Sequence, residues 1–483
     1  MRSDHQFEFG DFQTPMKTAQ AVIEYLYGRG VRPKSIIEPT CGLGNFLSSA
    51  AQHYPDVEHV FGVEINSEYA AEAKRRVPNA SVIVENFFDY DWSSLLQSLP
   101  EPILIVGNPP WVTSSGLSSR GGSNLPPKSN FHGHRGLDAK TGKANFDIAE
   151  WIVLRLIEEA KDREVIVAVL LKTAVARKVL RYLWKGMKPV RMASIIEIDA
   201  MQHFGVSAAA CLLVCDLGKG DCTSTCEVFD SFCSREANYH IGWENGQLIA
   251  DAEAHSATRH LEAWPGSFNG SIRWRSGVKH DCSKVVEFRE IDGELVNGLD
   301  EVVDLEEAFV YPLLKGSDVA NHRASTRKML ITQRRTGEDT ESLKHIAPKV
   351  WEYLVSHGDY FDRRGSSIYR NRPRFSIFGI GDYTFKPWKI AICGLYKSLN
   401  FRVVGPSDDR PVVFDDTCYL LPFNEEAEAR ETAELLQSEE AIQYFKAYVF
   451  WDNKRPITAE LLNRLDIRKL GGYQNEIAES LYG

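Results

Sequence analysis

A chain of 483 residues with 43% hydrophobic and 25% charged residues has the make-up of a globular protein of two or three domains. Nine cysteines do not make a disulfide scaffold at this length, and the polar, acidic stretch 1–12 lacks the apolar core of a secretory signal. The apolar run Val165 to Leu171 is too short to cross a membrane, so no membrane partner and a cytoplasmic location are expected, while the net charge of −10 argues against a surface that is basic throughout.

Phe12-Gln13-Thr14-Pro15 leads into a predicted helix from Met16 to Gly30, with Thr14 as its cap and Pro15 at its first position. Ala19, Val22, Ile23, Leu26 and Tyr27 share one face of it. Ser35 to Glu38 reads as a short strand that runs into Glu38-Pro39-Thr40-Cys41-Gly42-Leu43-Gly44-Asn45-Phe46. Gly42 and Gly44 permit a tight turn and close backbone approach to a ligand, and a helix starting near Gly44 aims its N-terminus at that ligand. The third glycine of a dinucleotide fingerprint is absent, so this signal rests on its place between a strand and a helix.

The next strand, His59 to Glu64, ends in an acid where ribose hydroxyls are bound in such units. Asn66 is a suitable cap for the helix that follows, to about Arg76. Ser81 to Val84 is a third strand, ending in Glu85-Asn86-Phe87-Phe88-Asp89, and Ile103 to Val106 is a fourth. It delivers Val106-Gly107-Asn108-Pro109-Pro110-Trp111 to the carboxyl end of a buried strand, where open α/β sheets bind ligands. The prolines fix the chain direction and leave their carbonyls free to accept, Asn108 adds an amide, and Trp111 adds a flat apolar face. Together they suit a planar amine: two acceptors for its two hydrogens and a ring beneath it. The plainer alternative is a strand-ending turn, since Asn-Pro is a common turn starter.

Residues 112–143 are rich in Gly, Ser, Pro, Asn and Lys, a long loop that is either functional or mobile. Then come a helix from Phe146 to Ala160, a buried strand from Val165 to Leu171 and a helix from Thr173 to Lys185. Ser194 to Ile198 and Ala208 to Val214 are close enough to pair as an antiparallel hairpin. The pattern describes a doubly wound α/β sheet of Rossmann type over residues 1–225, followed by a mixed α+β domain over 226–483.

These motifs resemble the gamma group of amino-group DNA methyltransferases that use S-adenosylmethionine. The order is the same: the Thr-Pro element first, the cofactor turn next, the Asn-Pro-Pro-aromatic motif after it, and a target-recognition domain last. The resemblance spans about residues 9–216 motif by motif, and the remainder only by position and basic character. It implies that Thr14 and Pro15 sit beside the methionine part of the cofactor, and that Glu38, Pro39 and the Gly42/Gly44 turn hold its amino and carboxylate ends. Glu64 would bind the ribose. Asn86, with Phe87 beside it, stands where the family usually has an Asp facing the adenine amino group. Its oxygen still accepts, without the charge. Trp111 replaces the more usual Tyr or Phe, and no Pro-Cys dipeptide occurs, so a covalent cytosine C5 mechanism lacks its nucleophile. The implied activity is methyl transfer to adenine N6 in duplex DNA by base flipping, catalysed at Asn108, Pro109, Pro110 and Trp111, in a restriction–modification setting with or without a separate endonuclease. Two alternatives stay open: an RNA or protein-glutamine methyltransferase with the same motif, and a non-catalytic DNA-binding subunit.

In the C-terminal half, Leu343 to Ser356 and Glu426 to Phe450 read as helices. Between Lys315 and Arg402 lie 17 Lys+Arg against 8 Asp+Glu, a local excess of +9 on an otherwise acidic chain. That asymmetry suits a protein that touches a polyanion with one region, although chance clustering on a solvated surface gives the same count. Within it, Arg363, Arg364, Arg370, Arg372, Arg374, Lys386 and Lys389 alternate with aromatics and are the candidate double-stranded DNA contacts. Cys211, Cys215, Cys222, Cys226 and Cys233 cluster without a Cys-x-x-Cys pair, so no metal site is expected.

Overall fold

Short runs of Ile, Leu and Val make the centre of the N-terminal half, as seen in a computed structural model. The structure describes residues 13–113, 124, 126, 147–263 and 273–471. Phe12, nearly all of the 112–143 segment and the expected helix start at Phe146 lie outside them. The chain divides into two compact units, residues 1–253 and 254–483.

In the first unit, β1 (Ser35–Glu38), β4 (Ile103–Gly107) and β5 (Val165–Lys172) are buried along nearly their whole length. Strands covered on both faces need such continuous apolar runs, and they pair in parallel. With β2 (His59–Glu64), β3 (Ser81–Val84), β6 (Val190–Asp199), β7 (Ala209–Leu217), β8 (Thr225–Phe229), β9 (Tyr239–Glu244) and β10 (Gln247–Ile249) they form one ten-stranded sheet. Its order is β10-β9-β8-β6-β7-β5-β4-β1-β2-β3. β1 pairs in parallel with both β2 and β4, so the chain reverses its direction of winding there. The expected hairpin is present: β6 and β7 are antiparallel, with Ser194 opposite Val214 and Asp199 opposite Ala209.

Helices α1 (Met16–Gly28), α2 (Asn45–His53), α3 (Ser67–Arg76), α4 (Trp92–Ser98), α5 (Ile148–Glu159), α6 (Thr173–Lys185) and α7 (Ala200–Phe204) alternate with the strands. Ala19, Val22, Ile23 and Leu26 of α1 and Phe46 of α2 pack on Ile36, Leu104, Val106 and Leu170. Each fully buried side chain of this size contributes about 1.5–3 kcal/mol. Tyr27, counted on the same face, is instead exposed, and Pro15 rather than Thr14 is the cap residue of α1. Asn66 caps α3 as expected, accepting from Glu68 N at 2.9 Å and Tyr69 N at 3.2 Å.

The division between units falls at Glu253/Ala254, not at residue 225. β8 pairs in parallel with β6, and β9 and β10 extend the same sheet, so their backbone groups are bonded into the first unit.

The second unit is mixed α+β. It holds a four-stranded sheet, β11 (Arg275–Ser276), β20 (Cys418–Phe423), β17 (Trp388–Cys393) and β18 (Arg402–Val404). A six-stranded sheet joins β12 (Glu287–Ile291), β13 (Glu294–Val296), β14 (Val302–Val303), β15 (Val310–Leu314), β16 (Arg327–Leu330) and β19 (Val413–Phe414). The helix expected over Leu343 to Ser356 is split. Leu343–Ile346 ends before Ala347, which leaves the helical region ahead of Pro348, and α8 (Pro348–Ser356) starts afresh. The helix expected over Glu426 to Phe450 is likewise two, α9 (Glu426–Leu436) and α10 (Glu439–Tyr448), because Ser438 caps the second by accepting from Ala441 N.

Candidate active site

The carboxyl ends of β1, β2, β3 and β4 open into a cavity of about 660 Å³, where ligands bind in doubly wound sheets. Thr14, Glu38, Pro39, Gly42, Glu64, Asn86, Phe87, Asn108 and Pro110 all line it, so residues up to 96 positions apart in the chain meet at one place. Pro15, Gly44, Pro109 and Trp111 do not line it. The Pro15 carbonyl accepts the N–H groups of Thr18 and Ala19 at the start of α1. Gly44 has φ 73°, and a Cβ there would come within 2.8 Å of the Ala73 Cβ. Its service is to let α2 approach α3, which sets the turn rather than touching a ligand.

Glu38 is 3% exposed, and one carboxylate oxygen accepts from Leu47 N at 3.2 Å. Burial holds its carboxyl well above the usual range; the Leu47 bond opposes the shift and the nearby Glu64 charge adds to it. A cation placed against Glu38 relieves that strain on its charged form. Glu64 accepts from Gly42 N through Oε2 and from Asn66 N through Oε1, both at 2.8 Å. One carboxylate thereby fixes the glycine turn and the entry to α3. Asn86 Oδ1 accepts from Phe88 N at 3.2 Å and its amide donates to Asn124 at 3.1 Å. Phe87 is held by the Trp92 ring, with centroids 4.9 Å apart. Sequence reasoning missed Gln13, which lines the cavity and accepts from Leu43 N at 3.1 Å; its position beside Thr14 was the only signal.

Beyond Gly107, the chain is clamped by its neighbours. Trp111 Nε1 donates to the Leu170 carbonyl at 3.1 Å, and its ring meets Phe204 edge-on with centroids 5.2 Å apart. Lys172, at the end of β5, donates to the Trp111 carbonyl at 2.9 Å and to Asp147 Oδ2 at 2.7 Å. Asp147 in turn caps α5, accepting from Ala149 N at 3.2 Å, and Ile148 N donates to the Val112 carbonyl at 2.8 Å. Lys172 thus sets where the chain leaves the Asn-Pro-Pro-Trp stretch. Lys172→Met is expected to lower kcat by about 10- to 100-fold through misplacement of that stretch, with cofactor affinity unchanged and partial rescue by Lys172→Arg. Equal losses in cofactor affinity and kcat would show a general loosening of the unit instead.

The second unit separates the seven candidate DNA contacts. Lys389 is 0% exposed, and its ammonium donates to the carbonyls of Lys386 at 2.6 Å and Val412 at 2.9 Å. Burial pulls it down to about 7. This is a correction: Lys389 points into the protein from β17 and is not a surface contact. Arg364 is also committed, donating to the carbonyls of Phe361, Ser376 and Arg374, with its guanidinium carbon 3.8 Å from the Tyr369 ring centroid. Arg374 pairs with Asp362 through two bonds, at 3.0 and 2.6 Å, and Lys386 donates to Asn424 at 2.6 Å. Arg363, Arg370 and Arg372 are exposed.

The sheet order, the glycine turn after β1 and the acid ending β2 define a Rossmann-like fold with a ligand cavity at the carboxyl ends of its strands. No family model matches the chain. The type II methyltransferase M.NspV of Nostoc sp. (strain ATCC 29411 / PCC 7524) is 43% identical over 472 residues, 96% of this chain and 97% of its own length. The chain therefore belongs to the type II methyltransferases, DNA-modifying enzymes of restriction–modification systems, and S-adenosylmethionine is its cofactor. A second relative, the type II methyltransferase M.CvrRI of Paramecium bursaria Chlorella virus XZ-6E, is 35% identical over 104 residues, 22% of this chain and 25% of its own. Among solved structures, the type IIL restriction–modification enzyme MmeI in complex with DNA matches in fold with a TM-score of 0.52 at 15% identity. That match takes in 94% of this chain and 64% of the other. The cavity fits the cofactor: a buried acid suits its amino group, a carboxylate at the end of β2 suits a ribose diol, and an amide suits its adenine. No helix among the described residues is long and apolar enough to cross a membrane.

Proposed function

We propose that the enzyme methylates adenine N6 at a specific sequence in duplex DNA, after flipping the base out of the helix. The observation that carries this reading is Asn108, at the cavity wall directly after β4, followed by the Pro109 carbonyl. Adenine N6 is a weak nucleophile because its lone pair is delocalised into the ring. Asn108 Oδ1 and the Pro109 carbonyl accept its two hydrogens and localise that pair. S-adenosylmethionine, when bound, supplies an electrophilic methyl group on a sulfonium. The residues around it bind and orient: Glu38 takes the amino group, Glu64 the ribose, and Asn86 the adenine amino group, while Thr14 closes the methionine end. Pro15 and Gly44 act only by shaping these neighbours. Catalysis is positioning and directed electrostatics, with no enzyme nucleophile.

Flipping costs a few kcal/mol, and stacking on Trp111, worth about 1–3 kcal/mol per base, offsets part of it. The Leu170 bond and the Phe204 contact keep that ring in one place. Specificity falls to the second unit, whose exposed Arg363, Arg370 and Arg372 supply phosphate contacts, and a separate endonuclease cutting the same sequence completes the system. Labelled cofactor offered with duplex DNA, RNA and protein, followed by digestion to nucleosides, tests the reading. Label is expected in N6-methyladenine. Label in RNA or protein alone overturns it, and label in N4-methylcytosine corrects the base.

A further inference from the structure

We propose that the turn Gln333–Glu338 of the second unit reads the DNA site, with Arg334 contacting a base edge and Arg335 a phosphate. The inference rests on duplex DNA being the substrate.

The turn is held far more firmly than an exposed loop requires. Gln333 is 6% exposed, and its amide donates to the Ile377 carbonyl at 3.1 Å and the Arg335 carbonyl at 3.0 Å. Its oxygen accepts from Ile377 N at 3.1 Å. The Thr336 hydroxyl accepts from Gly379 N at 3.1 Å and Ile380 N at 3.0 Å, and donates to the Ile380 carbonyl at 3.1 Å, which uses its full capacity. Glu338 closes the turn, one oxygen accepting from Arg334 N at 2.8 Å and Arg335 N at 3.0 Å. The backbone of both arginines is therefore tied down while their side chains face solvent.

The two guanidiniums are held differently. Arg334 lies over the Phe385 ring, 4.4 Å from its centroid. That contact restrains where its fork can go, and a restrained fork favours bidentate recognition of guanine O6 and N7. Arg335 donates to Asp382 at 3.0 Å, with the two side chains 73% and 75% exposed. An exposed pair of this kind is worth little and exchanges readily for a phosphate. Arg372 lies against the same turn, close enough that a Cβ on Gly337 would meet its Nη1 at 2.5 Å. Cationic side chains on a rigid frame lose little entropy when they bind, which favours sequence reading over general adhesion.

Wild type, Arg334→Ala, Arg335→Ala and Thr336→Val are expressed in a host free of DNA methylation, and modified positions are read genome-wide. The purified proteins are titrated with the recognised duplex over a range of salt. Arg334→Ala is expected to relax one position of the recognised sequence, with discrimination there falling about tenfold or more. Arg335→Ala is expected to weaken binding to all sequences alike and to lower the salt slope by about one. Thr336→Val keeps both charges and is expected to relax the position that Arg334→Ala relaxes. An unchanged consensus and salt slope in both arginine variants overturns the proposal. The two failures are distinguishable: wild-type label confined to RNA or protein overturns the substrate reading, whereas unchanged variants of an enzyme that modifies duplex DNA overturn the turn's role alone.

Discussion

Asn108→Ala is expected to lower kcat by about 10²–10³-fold, roughly 2.7–4 kcal/mol, the cost of removing one directed hydrogen-bonding group from a closed site. The amide lies at the cavity wall at the carboxyl end of β4, and nothing replaces its oxygen once it is truncated to a methyl. In the proposed reaction the Pro109 carbonyl is then left to polarise one N6 hydrogen alone. The contacts proposed for Glu38, Glu64 and Asn86 with the cofactor are untouched, so cofactor Kd is expected to stay within about threefold, and the loss belongs to the transition state. Asn108→Asp restores an acceptor and is expected to recover part of the rate. Single-turnover transfer from labelled cofactor to duplex DNA separates chemistry from product release. A wild-type single-turnover rate in Asn108→Ala would remove this residue from the reaction.

The cavity wall was legible because its signals are local. A strand that ends in Glu38, a turn with two glycines and a strand that ends in Glu64 are each complete within about ten residues. Local physics settles them: β1 is buried at every residue, and Asn66 caps α3 through its own side chain. What was not legible depends on contacts distant in sequence. Lys172 reads as the polar end of an apolar run, and only the folded chain brings it to the Trp111 carbonyl, 61 residues away. Lys389 reads as one more cation in a basic segment. Its burial follows from β17 lying inside the four-stranded sheet, paired with both β18 and β20. The unit boundary was misplaced for the same reason, since β8 to β10 carry no mark of the sheet they join. Pro348 and Ser438 were visible in the sequence. Each splits an expected helix by a rule that applies at one residue, against a periodicity that runs through it. The arginine pair at 334 and 335 was passed over for the denser cluster from Arg363 to Arg374, and two members of that cluster turn out to be engaged within the unit.

Glu64→Ala is expected to weaken cofactor affinity by about 10- to 100-fold, on the scale of about 1.5–3 kcal/mol for hydrogen bonds to a charged group. Two effects combine in that figure. The ribose loses the acceptor proposed for it, and Gly42 N and Asn66 N lose the carboxylate that holds the turn and the start of α3 in register. Glu64→Gln distinguishes charge from shape. Its side chain has nearly the same volume, but one carboxylate oxygen becomes an NH2 that must face a backbone N–H, donor against donor. Glu64→Gln is therefore expected to bind the cofactor no better than Glu64→Ala, although it is the more conservative change by size. Calorimetric titration with S-adenosylmethionine reads both variants, and titration with duplex DNA provides the control. DNA affinity is expected to hold in each, because the phosphate contacts are proposed for the exposed arginines of the second unit and Glu64 belongs to the first. Wild-type cofactor affinity in Glu64→Gln would mean that neither the ribose nor the glycine turn depends on this carboxylate, and the assignment of the β2 acid would fall with it.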